Sequence, residues 1–132
     1  MNRKEARELL MQMVFQMEAQ ADTGIPLMET LMRDRVIGQT QKEYLYTSFR
    51  TIVEHKDEID DIINKYSEKW TVKRMPKADL AVVRVAVGEA LFSPDIPAPV
   101  AINEAVNLAK EYGSDSTPRF VNGLLGKIVR NG

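Results

Sequence analysis

Apolar positions recur at intervals of three and four along nearly the whole chain, the period of helices that bury one face. Between residues 3 and 18, Ala6, Leu10, Met13 and Met17 form one stripe that Leu9 and Val14 widen, predicting an amphipathic helix. Asp22-Thr-Gly-Ile-Pro26 carries turn chemistry, and Leu27, Met28, Leu31 and Met32 predict a short second helix before Gly38. From Gln39 to Tyr66, Leu45, Phe49, Ile52, Ile59, Ile63 and Tyr66 alternate by four and three, with one gap where Lys56 takes the intervening place. This spacing predicts one long helix with a narrow buried seam.

Pro76 suits the first turn of the next helix, where its missing N–H has no partner to lose. Leu80, Val83, Val87 and Leu91 mark one face of that helix. Val82, Val85 and Ala86 make it apolar nearly all round, so it is predicted to be central and most buried. Its Gly88 costs about 1 kcal/mol relative to alanine and is read as permitting close approach of a neighbour. Ser93-Pro-Asp-Ile-Pro-Ala-Pro99 ends the helix and predicts an extended connection. Ile102, Ala105, Val106 and Ala109 then line a helix closed by Gly113 as a left-handed cap. Ser116-Thr117-Pro118 offers an N-cap hydroxyl and a first-turn proline to a last helix carrying Val121, Leu124, Leu125 and Ile128. No segment reads as a strand. The prediction is an all-α fold of about six to seven helices in a single compact domain spanning 1–132.

Composition narrows the chemistry. A chain of 132 residues suits one domain, which should bury roughly two-thirds of its unfolded surface without a covalent staple. There is no cysteine and only one histidine, His55, so disulfides, thiolate nucleophiles and thiolate metal sites are excluded. No apolar run approaches the roughly 20 residues needed to span a bilayer, and a cytoplasmic location is the expectation. A net charge of −1 argues against a uniformly basic nucleic-acid binder. The distribution is uneven, however: acidic residues dominate between 17 and 61, and basic residues dominate from 62 onward.

Catalysis finds little support. Neither a phosphate-binding loop nor a dinucleotide fingerprint is present. Asp57 and Asp61 share a helical face, but a solvated acidic face accounts for them. No catalytic residue, metal or cofactor is assigned. Binding fares better. Arg3, Lys4 and Arg7 lie close together at a helix start, where cations oppose the helix dipole yet can address phosphates. Glu5 and Glu8 interrupt them, and an ordinary solvated helix end is the competing explanation. Lys69, Lys73, Arg74, Lys77 and Arg84 form a second basic concentration, which solubility alone would also explain. Phe15 and Phe120 fit the buried pattern poorly. Each is either a core ring or an exposed ring that stacks an unpaired base. Asn122 can read a base edge or satisfy backbone.

Pro99-Val-Ala-Ile-Asn-Glu-Ala105 followed by Arg119-Phe-Val-Asn-Gly123 resembles a signature of the NusB family of bacterial transcription antitermination factors. The likeness extends more weakly to Arg3-Lys-Glu-Ala-Arg-Glu8 and Ala78-Asp-Leu-Ala-Val-Val-Arg84, and so covers most of the chain. It implies an all-helical, non-enzymatic protein that binds boxA-type single-stranded RNA of nascent ribosomal RNA transcripts. The implied partners are the ribosomal protein called NusE and the transcription elongation complex. The resemblance carries RNA contact onto Arg3, Lys4, Arg7, Phe15, Arg119, Phe120 and Asn122, and contact with the NusE-like protein onto Asp79. The family's N-terminal segment is often richer in arginine than this one. The alternative reading is a helical protein-interaction module resembling the N-terminal domain of ribosomal-RNA cytosine methyltransferases, with the absence of a methyl-donor domain after Gly132 speaking against a complete enzyme of that kind.

Overall fold

The computed structural model describes residues 1–20 and 25–131. Among them are seven helices and no strand: α1 (Arg3–Gln20), α2 (Ile25–Met32), α3 (Gln39–Glu54), α4 (Lys56–Tyr66), α5 (Lys77–Phe92), α6 (Ala98–Tyr112) and α7 (Thr117–Asn131). The turn expected at Asp22 to Gly24 lies outside the described residues, while Ile25 and Pro26 open α2.

Helix α5 is the axis of the fold. Every residue from Asp79 to Glu89 is buried, as its nearly all-round apolar sequence predicts. Helices α6 and α7 pack on each other and on it, α1 and α3 do the same, and α4 bridges α5 to α7. The predicted stripe of α1 is buried from Ala6 to Met17, as are Val121, Leu124, Leu125 and Ile128 of α7.

Two charged residues inside α5 lock these helices in place. Arg84 is 1% exposed and grips Asp60 of α4 in bidentate fashion, Nε and Nη2 each donating at 2.9 Å, while Nη1 donates to Glu18 of α1 at 3.1 Å. Glu89 accepts Nε and Nη2 of Arg7 at 2.8 and 2.9 Å and the Tyr44 hydroxyl at 3.3 Å, tying α1 and α3 to α5. Because no buried side-chain nitrogen or oxygen among the described residues lacks a partner, these ions do not leave an uncompensated charge in the core. Arg84 therefore leaves the second basic concentration and becomes part of the interior.

The structure corrects four local expectations. The predicted long helix is broken at His55, whose backbone turns to φ −106°, ψ 16° while its ring stacks on Phe92 with centroids 4.2 Å apart. A straight helix would separate Ile52 from Ile59 by ~10 Å along its axis. The break instead lets both converge on Gly88, where an added Cβ would lie 2.8 Å from Cγ1 of Ile52 and 3.9 Å from Cδ1 of Ile59. Gly88 thus serves the close approach read from the sequence. Gly113, in contrast, is extended at φ −102°, ψ −175°, and is not a left-handed cap. A Cβ there would meet the Thr117 side chain at 2.5 to 2.6 Å, so packing demands the glycine. The connection after α5 is a hydrogen-bonded turn, Ile96 N–H to the Ser93 carbonyl at 3.0 Å, before Pro97 extends it. At the start of α7, Thr117 supplies the working hydroxyl, accepting the Ser114 N–H at 2.9 Å, whereas Ser116 contributes its carbonyl to Phe120 N–H at 3.2 Å.

Candidate nucleic-acid interface

The first turns of α7 present the aromatic corner. With Val121, Leu124 and Leu125 turned inward, helical geometry puts Arg119, Asn122 and Gly123 outward, and all three are exposed. Neither the Arg119 nor the Asn122 side chain has a hydrogen bond or ion pair among the described residues. Phe120 lies between them, half-buried, and meets Trp70 edge to face with centroids 5.3 Å apart and planes at 74°. One side of the ring is thus fixed by packing, and its neighbourhood opens into a cavity of about 210 Å³ reached by Tyr66, Lys69, Arg119 and Lys127.

This corner is anchored from below. The Thr117 hydroxyl donates to Asp79, 3.3 Å from either carboxylate oxygen, and joins the start of α7 to the start of α5. Asp79 is only 4% exposed and has no salt bridge among the described residues. Burial raises its pKa above the ordinary aspartate value, while the Thr117 hydrogen bond and the charge of Lys69 oppose that rise. The adjacent Ala78 lines a second cavity of about 270 Å³ with Met11, Phe15, Leu31 and Tyr112. Phe15 is half-buried at its edge, so α5's first turn stands between the places where the two candidate rings emerge. The Tyr112 hydroxyl donates to Glu8 at 2.7 Å, and this bond, with burial, pushes its pKa up to about 12.

The three N-terminal cations do not form one patch. Arg3 turns toward α3, donating from Nε to Gln41 at 2.8 Å with its guanidinium 4.0 Å from the centre of the Tyr44 ring. Lys4 is exposed and pairs with Glu111 of α6 at 3.2 Å, which raises its pKa. Arg7 is 5% exposed and committed to Glu89, with Glu104 a further 3.6 Å contact. Burial disfavours its charge, but the Glu89 pairing prevails and the guanidinium is held more firmly protonated than usual. Arg7, expected beside Arg3 and Lys4 as a phosphate contact, instead has its Nε and Nη2 donors occupied by Glu89 in the interior.

Trp70 and Lys127 were not candidates from the sequence, and Lys69 was named only within the second basic concentration, yet all three lie around Phe120. Lys127 is seven residues beyond Phe120 and shares its helical side, a signal available from spacing. Trp70 comes from a loop and is brought in only by tertiary packing. Asp57 and Asp61 are exposed, and no group of three or more His, Cys, Asp or Glu able to hold a metal occurs among the described residues. No described helix is long and apolar enough to cross a membrane.

Comparison with known proteins gives the same answer from several sides. The NusB family model matches residues 4–130. The transcription antitermination protein NusB of Alkaliphilus oremlandii is 44% identical over 129 residues, covering 98% of this chain and 94% of its own. The corresponding protein of a Thermoanaerobacter species is 40% identical over 131 residues, covering 99% and 92%. Among solved structures, T. maritima NusB superposes with a TM-score of 0.90 at 35% identity, covering 98% of this chain and 92% of the other. A chain from the structure of antitermination factors NusB and NusE in complex with double-stranded RNA has the same fold, with a TM-score of 0.89 at 24% identity over 98% and 97% of the two chains. The chain belongs to the NusB family, the non-enzymatic proteins of transcription antitermination.

Proposed function

We propose that this protein acts in the cytoplasm by binding boxA-type single-stranded RNA of nascent ribosomal RNA transcripts, together with a NusE-like ribosomal protein, as part of the transcription elongation complex. The observation that carries this reading is the corner at the start of α7. A cation and an amide whose side chains are unpaired among the described residues flank a half-buried ring on an exposed face that is braced from beneath by Asp79 and Thr117. Arg119 supplies a phosphate contact, Phe120 a stacking surface for a splayed base, and Asn122 donors and acceptors for a base edge. A solved complex of antitermination factors NusB and NusE with double-stranded RNA contains a protein of this fold, which supports RNA and a NusE-like protein as the partners.

Roles elsewhere follow from placement. Arg3 and Lys4 flank the α1 start as phosphate contacts, Lys4 by exchanging Glu111 for phosphate. Arg7 acts as a positioning residue that fixes α1 to α5. Phe15 provides a second ring. Asp79 is the acidic contact for the NusE-like protein: among the described residues its carboxylate accepts a hydrogen bond from the Thr117 hydroxyl and makes no ion pair, the charge of Lys69 acting on it from farther away, so an incoming Arg or Lys would add a direct charge partner. The apolar lining of the cavity beside Phe15 favours a second reading in which that side serves protein contact alone, as in a methyltransferase-associated helical module.

Titrating a labelled boxA-like single strand into the protein, with and without the NusE-like protein, decides between them. Binding that tightens when the partner is added supports the proposal. Partner binding with no discrimination between boxA-like and scrambled strands would favour the protein-interaction module.

A further inference from the structure

The corner between α2 and α3 gathers charge of the opposite sign to its surroundings. Residues 17–61 hold ten acidic residues but only five lysines and arginines, and three of those five, Arg33, Arg35 and Lys42, line one surface cavity of about 310 Å³ with Tyr46 half-buried in its wall. All three are exposed and none has an ion pair among the described residues, while Glu29 is the acid that shares the cavity. The local backbone makes the grouping. Helix α2 ends at Met32, and a continued helix would turn Arg33 and Arg35 ~200° apart. Asp34 instead takes φ 65°, the left-handed region that aspartate tolerates better than most residues, which breaks the helix there, and both arginines line the same cavity. The Nε of Arg35 donates to the Leu31 carbonyl at 3.0 Å, closing the α2 end and leaving both Nη groups without a hydrogen bond among the described residues. Lys42 arrives from the first turn of α3.

We infer that this corner is a further contact surface for RNA, with Arg33, Arg35 and Lys42 on the phosphates of the strand that flanks the segment held at the start of α7. Resting on the RNA reading above, this surface shares no residue with the α7 corner or the α1 start. Continuity favours RNA over an acidic protein segment as its occupant. Gln41, the immediate neighbour of Lys42, accepts the Arg3 Nε at 2.8 Å, so the cations of the cavity begin where the candidate phosphate contacts of α1 end. A strand that has reached Arg3 meets the next unpaired cations across the first turn of α3. Cations on separate elements, free of ion pairs, suit successive phosphates and position a strand without reading its bases. Each such contact releases counterions, so the surface shows itself in the salt dependence of longer strands.

Anisotropy titrations across salt concentrations separate this surface from the α7 corner. The probes are a labelled boxA-like single strand and the same strand extended by a run of uridines at one end or the other, each added to the whole chain with the NusE-like protein present. Joint replacement Arg33→Gln, Arg35→Gln and Lys42→Gln should lower the logarithmic salt slope for one extended strand by about 2, three contacts at about 0.7 each, and leave affinity and slope for the short strand at wild-type values. Arg33→Gln with Lys42→Gln keeps the Arg35 bond to Leu31 and should lower that slope by about 1.4, which serves if the triple variant does not fold. An extended-strand slope equal to wild type in a folded variant would overturn the surface while leaving the RNA reading intact, because the short strand still binds. A variant that loses affinity for the NusE-like protein in the absence of RNA, with its RNA slope unchanged, would assign the corner to protein and overturn it too. No binding of any strand, with or without partner, would remove the RNA reading itself and this surface with it.

Discussion

The Thr117 hydroxyl lies 3.3 Å from both carboxylate oxygens of Asp79, linking the α7 corner to the first turn of α5. Asparagine can accept the same hydrogen bond without a buried charge. The pKa of Asp79 is raised above its unfolded value, so its contribution to stability is present below the ordinary aspartate range and lost as pH rises through the folded value. Asp79→Asn should therefore match the wild type in acid and exceed it in stability at neutral pH. Glu18 runs the opposite way: Arg84 and Lys77 overcome its burial and lower its pKa, so its contribution is lost as pH falls. Since Glu18 is present in both proteins, the difference between their denaturation midpoints across pH isolates Asp79. The same variant should lose about 1.5–3 kcal/mol of affinity for the NusE-like protein, the range for a charged hydrogen bond. Full partner affinity in calorimetry would remove Asp79 from that interface.

Arg7 and Arg119 should separate cleanly in urea. Arg7→Ala leaves Glu89 buried without its bidentate partner and should cost about 3–5 kcal/mol. Arg119→Ala, an exposed residue with no partner among those described, should stay within about 0.5 kcal/mol. Equal midpoints for the two variants would show that the Arg7–Glu89 pair does not hold α1 to α5.

Gly88→Ala should lower stability although alanine is the better helix former. Its new methyl would sit 2.8 Å from Cγ1 of Ile52, and overpacking of this kind costs about 1–3 kcal/mol against the ~1 kcal/mol gained in helix propensity. In the Ile52→Ala background the penalty should shrink, giving a coupling of about 0.5–3 kcal/mol. Strictly additive effects would mean that the two residues do not limit each other's space.

Helix existence was legible because burial imposes a 3.6-residue period on Leu10, Val83 or Leu125 whatever their partners. The break at His55 was not, since it answers to where Gly88 lies, a fact of tertiary packing. Gly113 misled for a related reason: a left-handed cap and a lack of room beside Thr117 ask for the same residue. In the candidate site, Arg119, Phe120 and Asn122 could be grouped from the sequence because they lie within one turn of one helix. Arg7 was readable only as a cation near other cations, because its burial depends on Glu89, eighty-two positions away. Trp70 joins Phe120 across another nonlocal contact.

Arg3→Gln and Arg119→Gln should each weaken RNA binding and reduce its dependence on salt by about 0.7 in the logarithmic slope, the counterion release of one phosphate contact on a single strand. An unchanged slope in either variant would take that residue off the phosphate path.

The central claim, that the α7 corner binds RNA through a stacked ring, is tested most directly by Phe120→Ala in a boxA-like titration across salt concentrations. The variant should fold, and its binding should fall by about 1–3 kcal/mol with its salt slope preserved, as expected when stacking is lost and phosphate contacts remain. Wild-type affinity in the folded variant would contradict it.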